Sequence, residues 1–203
     1  MFNKSIAGYH IFNSDRESSR MIDILRYYRR ENHVISFSAF MDLSDKIGGT
    51  GAYNANEQER KKLVEIIAYC IMPTHFHIIL RQMSDKGISM YMNNVQNSYT
   101  RYFNIKNKRK GPLWESRFKS VLVETDEQLL HLTRYVHLNP VTAYLVDRPD
   151  DWAGSSYNEY VSRTENPICE HSDLLNISRE EYKNFVEENI QQQRELAGVE
   201  TSA

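Results

Sequence analysis

At 203 residues, 40% hydrophobic and 26% charged, with a formal net charge of −2, the sequence describes one ordinary soluble domain with material for a real core. No apolar run is long enough to span a bilayer, and Met1-Phe2-Asn3-Lys4-Ser5 opens no signal-peptide pattern, so a cytoplasmic protein without membrane contact is expected. Two cysteines, Cys70 and Cys169, exclude a disulfide framework and a four-cysteine zinc site.

Gly8 to Asn13 mixes aromatic and β-branched residues and predicts a short first strand. Met21, Ile22, Ile24, Leu25 and Tyr28 form an apolar stripe that predicts a helix around Ser19 to Arg30. His33 to Phe40 alternates well enough for a second extended segment, and residues 44–58, rich in Gly, Asn and Asp, predict a mobile loop. Leu63 to Met72 and His75 to Gln82 are apolar, β-rich runs separated by Pro73-Thr74, the pattern of a buried hairpin. Ile88, Met92, Val95, Tyr99 and Phe103 then predict a helix from about Gly87 to Lys106.

Arg117 to Glu124 returns as a strand. Thr125-Asp126-Glu127-Gln128 matches a capping box, so a helix should start there and stop at Asn139, before Pro140. After Ser155 the signal weakens, except for a helix near Arg179 to Arg194. This order is α+β: an antiparallel sheet with helices on one face and the other face open to a substrate.

Chemistry concentrates in two places. His75 and His77 sit at i and i+2, so on a strand they share one face and can share one divalent cation. Tyr135 and Asn139 lie one helical turn apart, with His131 one turn before them, as a polar ridge on a half-buried helix. Each signal alone has a bland reading. Paired histidines are often structural, and a tyrosine beside an apolar stripe is more often core than nucleophile.

Charge adds a third signal. Residues 145–203 carry five Lys/Arg against thirteen Asp/Glu, while residues 1–144 carry twenty against fourteen, so a basic front precedes an acidic tail. Arg101, Lys106, Lys108, Arg109, Lys110, Arg117 and Lys119, interleaved with Tyr102, Phe103, Trp114 and Phe118, are the expected nucleic-acid contact. Cations would track phosphates while aromatic faces, Trp114 among them, stack on unpaired bases.

In this order the motifs resemble those of the single-tyrosine HUH transposases, in particular the REP-associated tyrosine transposase branch. The matching words are Tyr9-His10-Ile11-Phe12-Asn13, Met72-Pro73-Thr74-His75-Phe76-His77-Ile78-Ile79-Leu80 and Tyr99-Thr100-Arg101-Tyr102-Phe103-Asn104. They continue as Gly111 to Lys119 and Tyr135-Val136-His137-Leu138-Asn139-Pro140-Val141 and, with Trp152 to Tyr157, span about residues 7–160. The resemblance implies a ferredoxin-like HUH core over residues 1–160, with 161–203 as an acidic accessory extension.

It further implies Mg²⁺ or Mn²⁺ held by His75 and His77, with Asn139 where the family places a third polar ligand. Tyr135 would attack single-stranded or hairpin DNA to give a 5′-phosphotyrosine and a free 3′-hydroxyl, in a monomer or homodimer. Thr74 stands where the family often has asparagine or glutamate, and is expected to stay clear of the chemistry. A non-catalytic hairpin-binding regulator, or a phosphoesterase using water, would share most of these features.

Overall fold

The computed structural model describes residues 1–47 and 60–200 and is organised on a hairpin. β1 (Phe2–Lys4), β2 (Val64–Met72) and β3 (His75–Gln82) form an antiparallel sheet in the order β1-β3-β2. Pro73-Thr74 closes the β2–β3 hairpin as a two-residue turn, with Met72 opposite His75. Residues 113–119 run antiparallel along the outer edge of β1. Phe2 and Lys119 exchange backbone bonds of 3.0 and 2.9 Å, and the Glu115 N–H donates to the Lys4 carbonyl at 3.0 Å. That segment occupies the place of a fourth strand, which completes a ferredoxin-like strand order.

The continuous apolar run of β2 is buried along its whole length because helices cover both of its faces. On one face, α1 (Asp15–Tyr27), α2 (Phe37–Ile47) and α3 (Gly87–Lys106) pack on Val64, Ile66, Tyr69, Ile71, Phe76 and Ile78. A register shift between Ile66 and Ala68 turns Ile67 and Ala68 together, with Cys70 and Met72, to the other face. There α4 (Asp126–Thr142), α5 (Tyr157–Val161) and α6 (Arg179–Glu187) form a second core that also takes Ile79 of β3. α7 (Ile190–Glu200) lies along α4, with Gln193 Nε2 donating to Thr142 Oγ1 at 3.1 Å and Arg194 Nε to the Val141 carbonyl at 3.2 Å.

The hairpin, α3 and the Thr125 cap agree with the sequence; Thr125 Oγ1 accepts from the Gln128 N–H at 3.1 Å. Four expectations are corrected. Gly8 to Asn13 is not a strand: the Ile11 and Phe12 N–H groups go to the Pro73 carbonyl, at 2.8 and 3.1 Å, rather than to a ladder. His33 to Phe40 enters α2 at Phe37, because burying Phe37 and Phe40 needs helical spacing. Residues 120–124 carry no strand pairing. α4 runs through Pro140 to Thr142. Pro140 lacks the N–H that would bond the Val136 carbonyl, and Asn139 Nδ2 approaches that carbonyl at 3.5 Å while donating to the Tyr135 carbonyl at 2.8 Å. Most of the predicted 44–58 loop lies outside the described residues, and residues 44–47 belong to α2.

The acidic extension is part of the fold rather than an appendage. Cys169 bridges Ile66 on the free edge of β2, and Ile168, Leu175, Tyr182 and Val186 are buried. Removing residues 165–203 is therefore expected to prevent folding. Four buried side chains at about 1.5–3 kcal/mol each rival the whole stability of an ordinary domain. Loss of the cooperative thermal transition in the truncated protein is the measurement, and a melt within a few degrees of the full chain would restore the accessory reading.

Candidate active site

β3 alternates, so Phe76 and Ile78 enter the first core while His75 and His77 project from the opposite face. Their rings meet edge to face with centroids 5.0 Å apart. Tyr135, from α4, sets its ring edge-on to His77 at 5.7 Å and remains 45% exposed. Residues 58 positions apart in sequence thus converge on one imidazole. Asn139 lies one turn after Tyr135; with its Nδ2 on helix carbonyls, Oδ1 is the atom it can offer a cation.

Two residues outside the expected set complete the surroundings. Thr74 does touch the site: its hydroxyl lies 3.0 Å from His75 Nδ1. In the tautomer that carries the proton on Nδ1, His75 donates to Thr74 Oγ1 and leaves the Nε2 lone pair for a metal. Phe2, opposite His77 in the β1–β3 register, stacks on it at 5.7 Å and 17°. The role of Phe2 could not be assigned without knowing that residues 2–4 pair with β3.

The side chains fit a divalent cation. Burial lowers the basicity of His75, helped by the nearby Lys4 charge, and pushes His77 down to about 3, so both rings are neutral at pH 7. Neutral imidazole is the form that ligates. Cys70 sits opposite His77 in the ladder, but burial raises its thiol pKa well above the ordinary value, which keeps it out of a thiolate site. Among the described residues no cluster of three or more His, Cys, Asp or Glu forms. Two neutral imidazoles on one face then offer two donors and leave coordination positions for oxygens.

The basic stretch divides. Arg101, Lys108, Lys110, Arg117 and Lys119 are exposed, and Lys119 Nζ lies 5.7 Å over the Phe2 ring, at the border of the histidine face. Arg109 is committed to its own loop, with Nη1 on Asn104 Oδ1 at 3.0 Å and Nη2 on the Pro112 carbonyl at 2.6 Å. Lys106 holds buried Glu17 at 2.6 Å. Trp114 is corrected: it is only 9% exposed, donates its indole N–H to the Gln96 carbonyl at 3.2 Å and packs on Phe12, Phe76 and Tyr99. It is a core residue, not a stacking platform. His131, also on α4, sets its ring edge-on to Phe185 of α6 at 5.5 Å.

Sequence reading passed over His137, two residues beyond Tyr135. Its fully buried ring bonds the Tyr182 hydroxyl at 2.6 Å and Ser156 Oγ at 2.8 Å, and Ser156 Oγ accepts from the Tyr69 N–H of β2 at 2.9 Å. This chain of bonds fixes the helix that carries Tyr135 to the sheet and to α6. Burial pushes His137 down to about 3 and His33 to about 4. His33, His77 and His137 therefore stay neutral in the native protein while the unfolded chain takes up protons near pH 6.5. The unfolded state binds more protons there, so stability is complete above that pH and falls as pH drops toward 4, by up to about three protons of uptake. Urea midpoints at pH 7.5, 6 and 5 should fall in that order; a flat series would show that these rings do not stay neutral on folding.

Parts of this chain are similar to known proteins. Residues 45–139 match the family model described as "Transposase IS200 like", a stretch that holds His75, His77, Tyr135 and Asn139. Over this stretch the chain is similar to the IS200-like transposases. A Haemophilus influenzae protein named "Putative REP-associated tyrosine transposase" is 26% identical over 107 residues, covering 48% of this chain and 61% of the relative. This chain thus spans less than two thirds of that relative's length. A solved structure described as "Structure of the REP associates tyrosine transposase bound to a REP hairpin" aligns over 88% of this chain and 87% of its own, at 18% identity and a TM-score of 0.49. Among the described residues no helix is long and apolar enough to cross a membrane.

Proposed function

We propose that this protein cleaves and rejoins single-stranded, hairpin-flanked DNA as a REP-associated tyrosine transposase does, through a 5′-phosphotyrosine. The observation that carries the reading is the exposed Tyr135 ring standing edge-on to His77, with His75 on the same sheet face. Mg²⁺ or Mn²⁺, held by His75, His77 and Asn139, would polarise the scissile phosphate as a Lewis acid. Tyr135 supplies the nucleophile, and α4, locked through His137, holds it in place, where positioning contributes as much as about 7–11 kcal/mol to such reactions. Thr74 orients His75, and Phe2 backs His77. The bond energy stays in the phosphotyrosine, so rejoining to a 3′-hydroxyl needs no ATP. Incubation with single-stranded hairpin oligonucleotides and Mn²⁺ should yield a protein–DNA adduct that survives denaturation and digests to phosphotyrosine. Tight binding with no adduct would make the protein a hairpin-binding regulator instead.

DNA affinity should fall steeply with salt through Arg101, Lys108, Lys110, Arg117 and Lys119, at a log–log slope of roughly −0.7 per single-strand phosphate contact. Replacing Lys108 and Lys110 by Gln should flatten that slope by up to about 1.4. Arg109→Gln should instead act mainly on stability, because its guanidinium is spent on Asn104 and Pro112. An unchanged slope in the double variant would assign Lys108 and Lys110 to solvent alone.

A further inference from the structure

We propose that Lys4 of β1 binds the phosphate held at the histidine pair, on the side from which the 3′ oxygen leaves. The inference rests on the strand-cleaving reading above. Lys4 lies opposite His75 in the β1–β3 register, as Phe2 lies opposite His77. Directly paired residues of neighbouring strands project from the same face, their Cβ atoms about 4.5–5.5 Å apart. Asn3 between them is buried and turns the other way, its Nδ2 donating to the Ser116 carbonyl at 3.0 Å and also to that of Arg117. The Phe2 ring stacked on His77 shows that the alternation holds in the side chains.

The layout assigns a side to each group. In the order β1-β3-β2 the histidines occupy the middle strand. α4 packs over β2 and brings Tyr135 to His77 from there, while Lys4 stands across the pair on β1. Displacement at phosphorus proceeds with the attacking and leaving oxygens roughly in line. As the Tyr135 Oη–P bond forms, the P–O3′ bond breaks and its electron pair leaves on the 3′ oxygen. The phenol proton passes to solvent, and the 3′ oxygen takes one from solvent. A tyrosine entering from the β2 side expels that oxygen toward β1, where a fixed cation stabilises the developing charge.

Lys4 is available for this role. Its present contact is Glu115 Oε2 at 3.3 Å, with the two side chains 48% and 42% exposed. Exposed pairs of this kind contribute little, so a phosphate can displace the carboxylate. Lys119, paired with Phe2 across the edge of β1, places a second cation 5.7 Å from the Phe2 ring.

The test is a phosphate walk. Hairpin oligonucleotides with a single-stranded extension, each carrying one neutral methylphosphonate linkage, are bound to the full chain in excess chelator. At one linkage, neutralisation should weaken binding by the unaltered protein about tenfold and by Lys4→Met not at all, with Lys4→Arg resembling the parent. With Mn²⁺ restored, that linkage should be the one the parent protein cuts. Equal penalties in parent and Lys4→Met at every linkage would overturn the proposal and leave the strand-cleaving reading intact. A Lys4-dependent linkage away from the cut would overturn the leaving-side assignment. No cleavage by the parent, with a Lys4-dependent linkage present, would overturn the strand-cleaving reading and, with it, the leaving-side role, while sustaining the phosphate contact.

Discussion

Replacing Tyr135 by Phe is expected to abolish both strand cleavage and the denaturation-resistant adduct, taking each below detection. The ring that meets His77 at 5.7 Å is retained, and the residue is 45% exposed. Thermal stability and hairpin affinity should therefore change by less than about 0.5 kcal/mol, as for surface substitutions. What disappears is the one atom that can form the phosphotyrosine bond. Removal of a nucleophile commonly costs several orders of magnitude in rate, far beyond any indirect effect of one hydroxyl. Each outcome assigns a class. Metal-dependent cleavage that persists in the variant marks water as the nucleophile and the protein as a phosphoesterase. Absence of cleavage in parent and variant alike, with tight hairpin binding in both, marks a regulator that has kept the fold without the chemistry.

The local parts of this site are legible in the sequence, and the non-local parts are not. α3 follows from one apolar period, and the β2–β3 hairpin from two runs around Pro73-Thr74. His-x-His on a strand and Tyr-x-x-x-Asn on a helix announce their shared faces through the periods of those elements. β1 could not be read so: three residues, Phe2–Lys4, have too little pattern, and their meaning comes from pairing with β3 across more than seventy positions. The more strand-like Tyr9 to Asn13 misleads because Ile11 and Phe12 are buried without joining a ladder. Trp114 has the composition of a nucleic-acid platform and the location of a core residue, a difference set by its bond to Gln96 on α3. Pro140 marks the limit of a local rule, since packing of Val136, Leu138 and Val141 carries α4 past it.

His77→Ala and His75→Ala should each reduce cleavage by about a thousandfold or more, with excess chelator reproducing the loss in the parent protein. A cation on the phosphate is worth several kcal/mol of charge stabilisation, and either single ring leaves too few donors to keep it in place. Mn²⁺ affinity measured by calorimetry should fall in parallel, a readout independent of turnover. Hairpin affinity should be largely spared, because exposed cations such as Lys119 and Arg117 carry it. The two variants should differ in stability. His77 is wedged between Phe2 and Tyr135, so its truncation leaves a gap and lowers the melting temperature. His75 is bonded at Nδ1 to Thr74 in the hairpin turn, so its truncation mainly releases that contact. A destabilised but metal-binding His77→Ala, or activity that survives both substitutions and chelator, would reduce the pair to a structural role. Loss of metal binding in both, with the His75 variant melting close to the parent, separates ligand loss from fold loss and assigns the cation to the pair.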